Sequence, residues 1–237
     1  MSLYVLSDTH LSLSVGKPMD VFGERWKDHA ARIERFARST LTGDDTLVIP
    51  GDVSWAMTLE EALADFRFLD ALPGKKILGK GNHDYWWSTL TKIETFFKKQ
   101  GLSTLSLLFN NAYEADGVAV CGTRGWFTDS ASPSGTDRSK IVAREAGRLK
   151  RSLEAGKATG ASELIAFMHF PPFFGDFVCR EFIDIMHGYG VKRCYYGHMH
   201  GIYGIPPVSE FEGISFIISS GDYLQFRPLR IDREDKS

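Results

Sequence analysis

Short blocks of aspartate, asparagine and histidine recur along the chain in order: Asp8-x-His10, Gly51-Asp52, Gly81-Asn82-His83-Asp84, His169, and Gly197-His198-Met199-His200. Their side chains offer the nitrogen and oxygen atoms that bind borderline divalent metals, and cysteine, the soft ligand, is in none of them. In His198-Met199-His200 the i, i+2 spacing turns both rings to one side of an extended segment and Met199 to the other, so the pair can address neighbouring ions. Read from the N-terminus, the series supplies enough such ligands for two ions, and paired ions can clamp the attacking and leaving oxygens of a displacement. Singly each block is weak, since a lone Gly-Asp is usually a turn. Their joint occurrence, each after a strand-like run, carries the reading.

The elements that must hold these blocks follow from the apolar pattern. Short apolar runs at 3–6, 46–49, 76–78, 164–168 and 194–196 lead into Asp8, Asp52, Asn82, His169 and His198 and read as buried strands. The blocks then sit just past strand C-termini, where the loops of an open α/β sheet converge on a crevice. Helical patterns lie between, at 24–40, 59–71, 88–99, 136–154 and 177–187, with Thr58 and Glu61 placed as a capping box and Pro73-Gly74 as a stop. Two adjacent strand-like runs, 102–110 and 113–123, join at Asn110-Asn111, and a third, 214–219, follows the last histidine block. These imply a second sheet packed on the first. Gly, Pro and Ser mark 11–22, 128–135 and 205–213 as candidate mobile segments.

Composition sets outer bounds. A chain of 237 residues with 43% hydrophobic and 24% charged residues is an ordinary globular sequence, and without a linker or repeat it is expected to be one domain, 1–237. The net charge of −2 gives no general attraction to nucleic acid or anionic membrane. Cys121, Cys179 and Cys194 are odd in number and widely spaced, which argues against a disulfide framework or a structural zinc cluster. Met1 to Leu6 runs straight into Asp8, leaving no room for a signal peptide, and no stretch approaches the length of a membrane span. The cytoplasm is the expected compartment.

The blocks resemble the signature D-x-H, GD, GNH[D/E], H, GHxH of the calcineurin-like metallophosphoesterase superfamily, matched in order from Asp8 to His200. Gly51-Asp52-Val53-Ser54-Trp55-Ala56-Met57 and Gly122-Thr123-Arg124-Gly125-Trp126 look like a bacterial subgroup of predicted phosphohydrolases. The resemblance implies an α/β fold of two facing mixed β-sheets flanked by helices, a four-layer αββα sandwich. It also implies two divalent transition metal ions, from among Mn, Fe, Zn, Co and Ni with Mn or Fe favoured. Asp8, His10 and His200 would hold one ion, Asn82, His169 and His198 the other, and Asp52 would bridge them. Two divalent ions, two aspartates and a bridging hydroxide leave a charge of about +1, which favours a phosphate anion.

By the same resemblance His83 faces the substrate, donating a hydrogen bond or proton, and Asp84 stabilises its imidazolium. Arg124 follows a strand-like run and is either a planar fork on phosphate or a surface ion pair. His29 and His187 fall inside helical patterns and read as structural; Asp222, after the last strand-like run, is a candidate to back a ligand. Trp55, Tyr85, Trp86, Trp87, Trp126 and Phe127 crowd the blocks as core or as a leaving-group pocket. The implied activity is hydrolysis of a small phosphodiester or phosphomonoester by a metal-bridging hydroxide attacking phosphorus in line. A small diester such as a cyclic nucleotide is favoured, from a likeness to the bacterial cyclic-nucleotide phosphodiesterase-like branch. A nuclease is less favoured for want of a basic stripe. So is a protein phosphatase, because Tyr85-Trp86-Trp87 stands where those enzymes carry an arginine. A non-catalytic scaffold of the same fold is disfavoured by the intact ligand set.

Overall fold

The apolar runs before the motifs are continuous rather than alternating, the pattern of strands covered on both faces. The computed structural model describes residues 1–126 and 136–232, and in it these runs form the parallel centres of two sheets. The chain runs β1 (Leu3–Val5), α1 (His29–Thr40), β2 (Thr46–Ile49), α2 (Leu63–Asp70), β3 (Lys75–Leu78), α3 (Leu90–Gln100) and β4 (Leu105–Leu107). It continues through β5 (Tyr113–Ala115), β6 (Val118–Thr123), α4 (Thr136–Ala158), β7 (Glu163–Met168), β8 (Phe173–Phe174), β9 (Phe177–Val178) and α5 (Arg180–Tyr189). The last strands are β10 (Arg193–Tyr196), β11 (Val208–Phe211), β12 (Ile214–Ile218) and β13 (Leu229–Ile231).

One sheet has the order β13-β1-β2-β3-β4, with only β13 antiparallel. The other has the order β11-β12-β10-β7-β6-β5, with antiparallel strands at both edges. Alternate residues of each inner strand serve different layers. Val5, Val48 and Ile77 meet Val120, Ile165, Phe167, Tyr195 and Ile217 in a core between the sheets. Tyr4, Leu47, Ile49 and Leu78 turn the other way onto Ile33, Phe66 and Phe97 of the first three helices. Ala166, Met168, Cys194 and Phe216 turn onto Leu149, Leu153, Phe182 and Met186 of α4 and α5. The result is the expected order of layers, helices, sheet, sheet, helices.

Several expected elements shift for local reasons. Asp28 adopts a left-handed backbone (φ 51°) and splits the predicted 24–40 helix into a 3-10 turn, Glu24–Trp26, and α1. The Thr58–Glu61 cap forms, with Glu61 N donating to Thr58 Oγ1 at 3.2 Å and Met57 N donating to Glu61 Oε2 at 2.8 Å, yet regular helix begins only at Leu63. Asn110-Asn111 is a crossover: β4 closes the first sheet, whereas β5 and β6 pair with each other in the second. The 205–213 segment contains β11, an edge strand, and the 177–187 pattern opens with β9 before α5. The predicted 128–135 segment lies outside the described residues.

The two sheets are joined where the motifs emerge. Ser7 N, just past β1, donates to Ser219 O, just past β12, at 2.8 Å, and Ser7 bridges Ser220. Strand ends from both sheets therefore share one rim.

Lys76 is fully buried in β3 on the helix side. Its ammonium donates to Leu72 O and Gly74 O at 2.7 Å and to Asp70 O at 3.3 Å, satisfying carbonyls at and just past the C-terminal end of α2. Burial pulls its pKa down to about 8. Lys76→Met keeps the volume but leaves those carbonyls without a donor. It is expected to cost about 2 kcal/mol or more, read as a lower urea midpoint at unchanged m-value; an unchanged midpoint would show the carbonyls to be indifferent to the ammonium.

Candidate metal centre

The loops after β1, β2 and β10 place their polar residues by turning sharply. Asp8, His10, Asp52 and His198 all have positive φ, at 58°, 41°, 50° and 68°, a region that is strained for residues with a side chain. Backbone bonds hold the first two loops against each other: Asp8 N to Gly51 O at 3.0 Å, His10 N to Asp52 O at 2.9 Å, and Leu11 N to Val53 O at 3.0 Å. Two motif glycines are there because a side chain would strike a functional oxygen. A Cβ on Gly81 would collide with Asp52 Oδ1, and one on Gly197 with Asp8 Oδ2.

The seven expected ligands come together in two groups about one carboxylate. Asp8 Oδ1 lies 3.6 Å from His200 Nε2, which is 3.3 Å from His10 Nε2. Asn82 Oδ1 lies 2.6 Å from His169 Nε2 and 3.1 Å from His198 Nδ1. Asp52 Oδ2 stands 3.5 Å from both His10 Nε2 and His169 Nε2, between the groups, while its Oδ1 accepts from His83 N at 2.7 Å. Asp8 also accepts from His198 N at 3.0 Å and approaches His169 Nδ1 at 3.7 Å.

The electrostatics suit cations. Asp8 and Asp52 are buried and, among the described residues, their ion-pairing partners are histidines rather than Lys or Arg. Burial raises Asp8 to about 6. Burial, then the charges of Asp84 and Asp8, raise Asp52 well above the usual carboxylate range. Burial likewise holds His10 and His169 well below the usual imidazole value. His169 Nδ1 and His10 Nδ1 are buried without a hydrogen-bond partner. Buried carboxylates with neutral imidazoles and an orphaned ring nitrogen fit divalent metal ions, since buried charge must be paired or coordinate a metal.

Asp222 backs this set. Its Oδ1 lies 2.8 Å from His200 Nδ1, and its Oδ2 accepts from Gly201 N at 3.0 Å and Tyr203 OH at 2.9 Å. Burial alone would lower His200, but the Asp222 bond and the charges of Asp8 and Asp222 raise it overall. Gly221-Asp222 after β12 repeats the strand-then-Gly-Asp pattern of Gly51-Asp52, a signal present in the sequence.

Other expected residues are placed as follows. The half-buried His83 ring lies 4.2 Å from the Trp55 ring and 5.7 Å from that of His10, with Nδ1 3.3 Å from Tyr85 OH. Burial, then Lys17 and His200, lower it to about 4. Asp84 does not serve the His83 ring, which corrects that expectation. Its carboxylate accepts from Val53 N (2.8 Å), Ser54 N (3.2 Å), Gly81 N (2.7 Å) and Trp86 Nε1 (3.0 Å), tying the second and third loops together. Arg124 lies over Trp126 and Phe170, at 5.8 and 5.9 Å from their ring centres, and Phe170 in turn packs on His169 and His198. His29 Nε2 lies 3.3 Å from the His10 carbonyl and its ring packs on Trp26 and Phe226, and His187 pairs with Glu212 at the surface. Trp86 and Trp87 pack into the helix-side core of the first sheet. Phe127 falls outside the described residues.

The model of the calcineurin-like phosphoesterase family matches residues 1–201. The chain belongs to that family. Among solved structures, this phosphoesterase is similar to the protein TT1561 of Thermus thermophilus (TM-score 0.55, 13% identity, 97% of each chain covered). It is similar also to phosphopantetheinyl hydrolase from Mycobacterium tuberculosis (0.53, 17%, 100% of this chain and 97% of that one). A third is the protein of unknown function AQ665 from Aquifex aeolicus (0.52, 18%, 97% and 95%). At these identities the likeness is one of fold. Among the curated proteins nothing matches the sequence. Among the described residues, no helix is long and apolar enough to cross a membrane.

Two outcomes follow for this phosphoesterase. Asp222→Asn removes the anionic partner of His200 and is expected to weaken metal binding by about 10–100-fold in titrations; wild-type affinity would remove Asp222 from the site. Asp8, raised by burial from 3.8 to about 6 in the metal-free fold, keeps a proton there that the unfolded chain has released. Its stabilisation is therefore lost as pH rises through about 6, and a metal that displaces the proton binds more tightly as pH rises. The gain in Tm on adding manganese should be larger at about pH 7.5 than at about pH 5; equal gains would rule out proton displacement.

Proposed function

We propose that this calcineurin-like phosphoesterase is a single-domain cytoplasmic hydrolase of small phosphoesters that works with two divalent metal ions, manganese or iron first among them, and prefers a small diester. The observation that carries the reading is Asp52 Oδ2, equidistant at 3.5 Å from one imidazole of each ligand group. In this reading Asp8, His10 and His200 would hold one ion, Asn82, His169 and His198 the other, and Asp52 would serve both. The chemistry that such ions supply when bound is Lewis acidity: they bring the pKa of water near neutrality and draw charge from phosphoryl oxygens.

The protein's own groups do the rest. The zippered loops fix the carboxylates before any ligand arrives, so little reorganisation is needed at the moment of reaction. His83 enters as a neutral ring, because burial lowers it to about 4. A neutral imidazole donates one hydrogen bond, and a phosphate anion beside it favours protonation, so His83 serves the leaving oxygen. Asp84 is a positioning residue that keeps the His83 loop on the Asp52 loop. Arg124 adds positive field from beyond Phe170, which favours an anionic substrate.

The test is metal analysis of the purified protein followed by a panel of monoesters and of linear and cyclic diesters. Metal-loaded protein that hydrolysed none of them would refute the reading, and monoesters alone would refute the diester preference. His83→Ala is expected to retain its metal and lose about 10²-fold or more in turnover; loss of metal, or full activity, would remove His83 from the chemistry.

A further inference from the structure

Against the ring of His83, and against His10 and His200, the structure carries a cavity of about 140 Å³ whose other walls are Met19, Phe22, Trp26 and Trp55. Its walls are largely ring faces and edges. Trp55 stacks on His10 with centres 4.9 Å apart and planes 23° apart, and Trp26 meets His10 and His200 edge-on at 5.5 and 5.3 Å. The Lys17 ammonium, 2.9 Å from the centre of the Trp55 ring, holds that indole in place. Trp26 and Met19 are 3% and 5% exposed and form a fixed floor, whereas Phe22 at the lip is 58% exposed.

An apolar cavity of roughly 150 Å³ accommodates one benzene-sized molecule, and aromatic walls favour a planar guest through stacked and edge-to-face contacts. The exposed Phe22 ring supplies apolar area that only a guest would cover. The second group has different company: Phe170 packs on His169 and His198, and Arg124 lies over Phe170 and shares a separate pocket with Lys80, Arg148 and the buried Glu145.

We propose that the cavity receives the leaving group, and that the substrates are phosphoesters whose leaving group carries a single uncharged planar aromatic ring. The proposal rests on the hydrolase reading, which puts His83 at the leaving oxygen. The reaction is hydrolysis without redox change. The oxygen of water bonds to phosphorus, the bond from phosphorus to the leaving oxygen breaks with its electron pair, and that oxygen takes up a proton. The products are the aromatic alcohol and the remaining phosphate or phosphate monoester.

Binding and turnover test it separately. Calorimetry would compare phenylphosphonate with cyclohexylphosphonate, which lack an ester oxygen to expel, on protein with manganese and on protein in chelator. The planar ring is expected to bind on the order of tenfold more tightly, the equivalent of about 1.4 kcal/mol, and Phe22→Ala to abolish most of that difference. Turnover would compare an aryl diester with a fluoroalkyl diester of matched leaving-group pKa, so that intrinsic reactivity does not decide the result. A kcat/KM ratio near ten in the native protein, collapsing towards one in Phe22→Ala, supports the pocket. Equal binding of the two phosphonates, or a ratio unaffected by Phe22→Ala, overturns it. Selective binding without hydrolysis of either diester would refute the hydrolase reading while supporting an aromatic pocket, so the two failures are distinguishable.

Discussion

Two carboxylates buried among neutral imidazoles are the constraint from which the rest of this structure follows. An isolated buried charge is costly, and the fold resolves the cost differently for each acid in the centre. Asp84 is satisfied by the chain itself, through three backbone amides and the Trp86 indole. Asp222 is satisfied by His200, Gly201 and Tyr203. Asp52 keeps an oxygen atom aimed at His10 and His169, which burial pulls towards neutrality, and Asp8 faces His169 and also His200, which Asp222 and Asp8 raise. Without a metal these two acids are eased by raised pKa values, and divalent cations, which the family implies, would pair their charge; the left-handed turns that aim them stay in place because neighbouring loops bond across them.

That arrangement needs strand ends from both sheets at one rim, which explains the four layers. An inner strand that faces helices on one side and the opposite sheet on the other must be apolar at nearly every position, as in Thr46–Ile49 and Glu163–Met168. It cannot then carry polar chemistry along its length, only past its end. The Ser7–Ser219 bond ties the sheets where the two groups of ligands meet, so relative movement of the sheets would alter the spacing of the groups.

The same physics decided what could be read in advance. Strands buried on both faces leave continuous apolar runs, so those leading into Asp8, Asp52, Asn82, His169 and His198 were legible to within a residue or so. The edge strands Val208–Phe211 and Leu229–Ile231 are short and partly exposed and left no such run. The Asn110-Asn111 crossover resembled a hairpin turn because composition marks a change of direction but not which sheet the next strand joins. Asp84 was misassigned for a related reason. Neighbours in a tight turn point apart, so adjacency to His83 in sequence said nothing of contact, and two of the three amides that claim Asp84, those of Val53 and Ser54, lie 31 and 30 residues away. The Arg124 guanidinium rests over the Trp126 and Phe170 rings, a placement that its position after a strand-like run did not specify.

The centre is also asymmetric. On the His10 and His200 side the walls are indole, phenyl and thioether; beyond Asn82 and His169 stand Lys80, Arg124 and Arg148 around one buried glutamate. Two ions that shared Asp52 would offer a phosphoryl group similar charge on both sides and would not by themselves decide which ester oxygen leaves. The unlike flanks can, because a substrate with one apolar and one anionic substituent gains contacts in one orientation and loses them in the other. In the proposed reaction the ligand blocks would set which bonds can be cleaved, and the loops between them which end of the substrate departs.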